Sequence, residues 1–186
     1  MLVSTYEQLL NFIKTKQYKK ILISGPQRSG TTFLSRILAE DLSCKLYDEL
    51  KSIENFKNTT SNSVSQGPSM CSLLHEIDEP DSLVVFVSRN CKDIIKSQKR
   101  IILKSGLSWN NDPNCETHER NLYAKKFPDF FEENVSSCYI KQSVWLTFQI
   151  FNMKTDFITF PYDGLISDNR YIQKNLRIHF TGKQTQ

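Results

Sequence analysis

The chain has 186 residues, 39% hydrophobic and 24% charged, which is one domain's worth of length and the makeup of an ordinary globular protein with a full core. Its formal net charge of +4 at pH 7 suits a small anionic ligand and falls short of a nucleic-acid signature, so no nucleic-acid partner is expected. Five scattered cysteines (Cys44, Cys71, Cys91, Cys115, Cys138) without a C-x-x-C pair argue against a disulfide framework or zinc site, and for a reducing compartment.

In chain order, Ser4 followed by Glu7 is a capping-box pattern, and Tyr6, Leu9, Leu10 and Ile13 form one face of the helix it would start. Lys19 and Lys20 lead into an apolar strand, Ile21 to Ile23. A loop bracketed by Gly25 and Gly30 follows, then Thr31-Thr32, and Leu34, Ile37, Leu38 and Leu42 recur at helical spacing. Lys45-Leu46-Tyr47 reads as a second strand ending at Asp48-Glu49. Lys57 to Gln66 is a polar loop with a short strand near Val64. Pro68 introduces a helix over Ser69 to Ile77.

Leu83 to Val87 is apolar on both faces, as a buried central parallel strand requires, and it runs out at Ser88-Arg89. The next helix carries Ile94, Ile95, Gln98, Ile101 and Ile102 on one face, and Gly106 to Thr117 reads as a loop. A long helix from about Glu133 to Met153 is expected to turn Ile140, Val144, Phe148 and Phe151 inward, with Trp145 in the core. Phe157 to Phe160 is a last strand, and the tail from Arg170 is basic. No window approaches the roughly 18 apolar residues of a membrane span, and no leader pattern opens the chain, so a cytoplasmic location is expected. Alternating strands and helices without repeats or boundaries predict a single domain over residues 1–186: an α/β, P-loop-like three-layer sandwich with a mostly parallel central sheet.

Strand, glycine-rich loop and helix together aim backbone N–H groups and a helix dipole at an anion. Gly25 to Thr32 has the spacing G-x-x-x-x-G-K-[ST], with Thr31 in the lysine position. A nucleoside triphosphate hydrolase needs that lysine, and a strand-end carboxylate for magnesium. Here the central strand ends in Arg89. Such a site is suited to an anion handled without a metal, with Arg28 gripping one group and Arg89 another. Ser97, about two turns into the helix after Arg89, converges on the second group. Two anion sites suggest a bisphosphorylated nucleotide.

These residues resemble the sulfotransferases that use 3′-phosphoadenosine-5′-phosphosulfate (PAPS). That family's P-x-[RK]-S-G-T-T loop, which cradles the 5′-phosphosulfate, corresponds to Pro26 through Thr32. Its R-[ND]-P-[KR]-D-x-x-x-S segment, which binds the 3′-phosphate through Arg and Ser, corresponds to Arg89 through Ser97, with Cys91 in place of the proline. The closest similarity is to the tyrosylprotein and related Golgi-type branch. There a catalytic glutamate follows the loop arginine by 21 residues, the position of Glu49 here. Asp48 is the alternative if the register slips by one.

The resemblance implies PAPS as donor and a small-molecule, sugar or peptide acceptor. It implies Arg28, Ser29, Gly30, Thr31, Thr32, Arg89, Ser97 and Tyr162 (in a Y-[ED]-x-L-like segment) as nucleotide contacts. Arg28 and Glu49 would be catalytic, and His75 is the alternative base, as in the cytosolic branch. A basic closing segment would be Arg177 through Lys183.

Gln66 stands where many members have a lysine on the leaving oxygen, and losing such a donor typically costs about 100-fold or more in rate. Simpler roles compete at each position: Glu49 as a solvated carboxylate, His75 as a packed side chain, Trp109 as a loop pin. A kinase with an atypical loop and a nucleotide-binding protein with a decayed site are the rival readings.

Overall fold

The computed structural model describes residues 3–126, 128–130 and 135–166. Five strands form one all-parallel sheet in the order β2-β3-β1-β4-β5: β1 Lys20–Ser24, β2 Lys45–Tyr47, β3 Ser63–Gln66, β4 Ser82–Ser88 and β5 Asp156–Pro161. The alternation of side chains along β1 and β4 sends Ile21, Ile23, Leu83, Val85 and Val87 into one core, and Leu22, Val84 and Phe86 into another. Both strands are apolar throughout because both faces of the sheet are covered. Helices α1 (Tyr6–Lys16) and α2 (Thr31–Asp41) close the first face through Leu9, Ile13, Leu34, Ile37 and Leu38. The second face is closed by Phe56 of α3 (Ile53–Lys57), by Met70, Leu74 and Ile77, and by Leu146 of a later helix. The result is the expected three-layer α/β sandwich.

Helix α1 starts one residue later than the sequence pattern suggests. Thr5 is its cap, and the capping box is closed by Gln8 in place of Glu7. The Gln8 side-chain oxygen accepts the N–H groups of both Ser4 and Thr5.

The helix expected over Ser69 to Ile77 is two short 3₁₀ turns, Pro68–Met70 and Leu74–Glu76. Continuing the helix would require the Leu74 N–H and the Cys71 carbonyl to bond within it. Both are taken instead by the buried Gln149 amide, at 2.7 and 2.8 Å. Similarly, α4 spans only Cys91–Gln98, and Ile102 is 67% exposed beyond its end. The expected loop Gly106 to Thr117 contains a 3₁₀ turn, Trp109–Asn111, and a π turn, Pro113–Thr117, which runs into an additional helix α5, His118–Lys126.

The long late helix is three joined pieces: α6 (Ser137–Ile140), a π-helical turn (Lys141–Trp145) and α7 (Leu146–Asn152). A π turn inserts one residue, so every later position rotates by one. The buried stripe is therefore Ile140, Lys141, Trp145 and Gln149, while Phe148 and Phe151 of the expected stripe are 36% and 82% exposed. Part of the expected start, and the basic stretch from Arg170 through Lys183, lie outside the described residues. A last short helix, α8 (Asp163–Ile166), follows β5. Among the described residues, no helix is long and apolar enough to cross a membrane.

Candidate active site

Because all strands point the same way, the loops leaving β1, β3, β4 and β5 gather at one edge of the sheet, where open α/β folds bind ligands. The β1 loop turns tightly, with Gly25 at φ 147°, Arg28 at φ 74° and Gly30 at φ 105°. At Gly25 a Cβ would lie 2.5 Å from the Val87 carbonyl oxygen, and at Gly30 it would strike the Tyr162 ring, so both positions require glycine. Arg28, between them, holds a left-handed conformation that costs energy and recurs at functional sites. Helix α2 opens at Thr31 with Gly30 as an N-cap lacking a side-chain bond. The first N–H groups of a helix have no partner within it, so this end presents donors and a positive dipole to the cleft.

The two sequence motifs are physically joined. The Arg28 Nε donates to the Ser97 hydroxyl at 3.2 Å, and an Arg89 guanidinium N–H donates to the Arg28 carbonyl at 3.1 Å. The Arg89 guanidinium also lies 4.2 Å from the centroid of the Tyr162 ring, a cation–π contact. Its backbone is pinned from the π turn: the Arg89 N–H donates to Gln142, and the Gln142 amide donates back to the Arg89 carbonyl, both at 2.8 Å. Among the described residues neither Arg28 nor Arg89 has a carboxylate partner. Two uncompensated guanidinium groups beside a helix N-terminus make a strong anion site.

They face a cavity of about 310 Å³ lined also by Gly30, Thr31, Thr32, Arg36 and Glu49. A second cavity, of about 320 Å³, adjoins it, and Gln27, Glu49 and Pro68 line both. The far side of the second cavity holds Lys51, Trp109 and the ion pair Lys141–Glu119, whose Nζ donates to both Glu119 oxygens at 2.6 and 2.5 Å. Glu49 follows β2 in a left-handed conformation (φ 51°). Its N–H donates to the Gln66 side-chain oxygen at 3.0 Å, and its exposed carboxylate has no partner among the described residues.

Gln66, at the end of β3, is 2% exposed, and its amide donates to the hydroxyls of Thr31 (3.0 Å) and Thr32 (3.3 Å). It braces the anion loop against Glu49. The hydrogen-bonding groups of Gln66 are thus spent on the scaffold.

The structure brings Arg28, Gly30, Thr31, Thr32, Glu49, Arg89 and Tyr162 to the first cavity, with Ser97 one bond behind. Ser29 stands apart: its N–H bonds the Pro26 carbonyl at 3.0 Å, and its hydroxyl is buried without a partner among the described residues. Asp48 pairs with Arg36 at 3.3 Å. His75 does not line either cavity; its ring packs edge-on against Phe148 (5.0 Å between centroids) and alongside Trp145.

Residues missed by sequence reasoning are Arg36, Lys141 and Gln142. Arg36 lies one helical turn beyond Thr32, an i,i+4 spacing that would have placed it on the cleft face. The other two depend on the π turn, which leaves no local signal. No group of three or more potential metal-ligating side chains occurs among the described residues. Compared with known protein families and with curated protein sequences, the chain matches none.

Proposed function

We propose that this protein is a sulfotransferase that takes the sulfuryl group of PAPS and passes it to a hydroxyl or amine acceptor. One observation carries this reading: two arginines without carboxylate partners among the described residues, Arg28 bonded to Ser97 of α4 and Arg89 bonded to the Arg28 carbonyl, face one cavity, and that cavity shares Glu49 with an adjoining second cavity. In this reading Arg28 and the first N–H groups of α2 hold the 5′-phosphosulfate, while Arg89 and Ser97 hold the 3′-phosphate. The second cavity holds the acceptor.

The donor supplies an activated S–O bond. The acceptor's lone pair forms the new bond to sulfur, the bridging S–O bond breaks, and its electron pair stays on the 5′-phosphate. Glu49, facing both cavities, takes the acceptor proton, and Arg28 stabilises the charge left on phosphate.

Titration calorimetry with 3′-phosphoadenosine-5′-phosphate, set against ATP with and without magnesium, tests the reading. Micromolar, metal-independent binding of the bisphosphate is expected. Preference for magnesium–ATP would sink it in favour of a kinase. A nucleotide-binding protein without turnover is the second reading, favoured by the commitment of Gln66 to Thr31, Thr32 and Glu49. Tight bisphosphate binding with no transfer to any of a broad panel of alcohols, phenols and amines would select it.

A further inference from the structure

Beside the arginine clamp lie two cysteines from distant parts of the chain. Cys91 is the first residue of α4, and Cys138 lies in α6; both are buried and pack together with Ile94. Neither is in a disulfide. The Cys91 sulfur receives the Gln142 amide at 2.9 Å. Contact with Cys138 first, and the Gln142 amide with it, lower the Cys91 pKa against the opposing effect of burial, while the same contact raises that of Cys138. Ser136 is hydrogen-bonded to the Cys138 sulfur at 3.1 Å. Two free thiols from distant segments thus pack together, one of them held by an amide that also holds Arg89, and such a pair can close to a disulfide.

We infer that Cys91 and Cys138 form a reversible redox site that closes to a disulfide with a hydroperoxide and, through Gln142, loosens the Arg89 clamp. The Cys91 thiolate attacks a peroxide oxygen, giving a sulfenic acid and, for hydrogen peroxide, hydroxide. Cys138 sulfur then attacks the Cys91 sulfur and expels a second hydroxide. The two thiol protons complete two waters: two thiols are oxidised and one peroxide is reduced.

The coupling follows from Gln142. One amide group bonds the Cys91 sulfur, the Arg89 carbonyl and the Arg89 N–H. Closing the bond draws the sulfurs to about 2 Å and pulls the Cys91 sulfur away from the Gln142 amide that donates to it. The backbone that aims the Arg89 guanidinium is then held less firmly. The disulfide itself is independent of the sulfotransferase reading; only the consequence for bisphosphate binding rests on it.

The test treats the full chain with hydrogen peroxide and maps peptides without reduction. A Cys91–Cys138 crosslink lighter by two hydrogens and reversed by dithiothreitol is expected, together with a dimedone-trapped sulfenic acid at Cys91 in Cys138→Ala. Peroxide that oxidises Cys44 or Cys115 but leaves Cys91 and Cys138 as thiols would overturn the site. Amide hydrogen exchange reads the coupling without any nucleotide: exchange around Arg89 should rise about tenfold on oxidation, and not in Cys138→Ala. A crosslink with unchanged exchange would overturn the coupling. In a chain that binds 3′-phosphoadenosine-5′-phosphate, affinity should fall about tenfold on oxidation and recover with dithiothreitol. If the reduced chain does not bind it, the sulfotransferase reading fails while the crosslink result stands.

Discussion

The Arg89 side chain donates to the Arg28 backbone carbonyl at 3.1 Å, so the loop after β1 and the end of β4 form one unit 61 residues apart in sequence. The two guanidinium groups are therefore set relative to each other before any anion arrives, which lowers the ordering cost of binding. Arg89→Ala removes a charge-assisted contact and releases the Arg28 loop. We expect affinity for 3′-phosphoadenosine-5′-phosphate to fall by roughly 10- to 100-fold. Arg89→Lys should recover little of it, because one ammonium cannot bond the carbonyl, sit flat on Tyr162 and fork to a phosphate together. Unchanged affinity by calorimetry in Arg89→Ala would remove this residue from the site.

Glu49 is the carboxylate common to the two cavities and has no competing partner among the described residues. Glu49→Gln keeps its shape and its backbone bond to Gln66 but cannot accept a proton. Transfer should fall by roughly 100-fold or more, with bisphosphate affinity within about twofold of wild type. The comparison to make is single-turnover transfer against calorimetric affinity in the same preparation. Normal turnover would strike Glu49 out as the base, and Asp48, held by Arg36 at 3.3 Å, would be an unfavourable replacement.

The glycine turn after β1 was readable in sequence because its determinants are local. Glycines at forced turns, hydroxyl residues opening a helix, and an apolar strand before them each act within a few residues. The same holds for β1 and β4, whose apolar runs mark them directly. What sequence did not disclose depends on side chains that replace backbone partners from far away. Gln149 takes the bonds of Cys71 and Leu74 and breaks a helix whose own residues favour it. The π turn at Lys141–Trp145 rotates α7, so Phe148 and Phe151 face outward and Lys141 reaches the second cavity. His75 suited a catalytic role by residue type alone, and its packing with Phe148 and Trp145 became visible only once that rotation was known.

At the opposite edge of the sheet, the Tyr18 hydroxyl donates to Asp156 at 2.5 Å, tying the approach to β1 to the start of β5. Burial first, then this bond and the Asp156 charge, raise the Tyr18 pKa above its ordinary value of 10. The folded chain therefore keeps this proton at pH values where the unfolded chain has lost it, so stability falls as pH rises past about 10. The contribution is complete below that pH and fades above it. Urea midpoints for wild type and Tyr18→Phe should differ at pH 8 and converge as pH climbs beyond 10. A gap that stays constant to pH 11 would mean that Tyr18 does not carry this dependence.

Gln66 offers the sharpest separation of roles, because its two ends serve different parts of the site. Its oxygen accepts the Glu49 N–H, and its amide nitrogen donates to Thr31 and Thr32. Gln66→Leu loses both arms inside a buried position, so stability should drop by about 1–3 kcal/mol, and transfer should fall about tenfold as Glu49 loses its fixed backbone. Gln66→Glu keeps an acceptor for the Glu49 N–H but places a negative charge beside the anion loop. Its bisphosphate affinity should fall at least tenfold, while transfer at saturating donor stays closer to wild type than in Gln66→Leu. Thermal unfolding, calorimetry and single-turnover transfer on the two variants resolve the arms. If both variants lose affinity and transfer in the same proportion, Gln66 acts as one structural peg and does not position Glu49 separately.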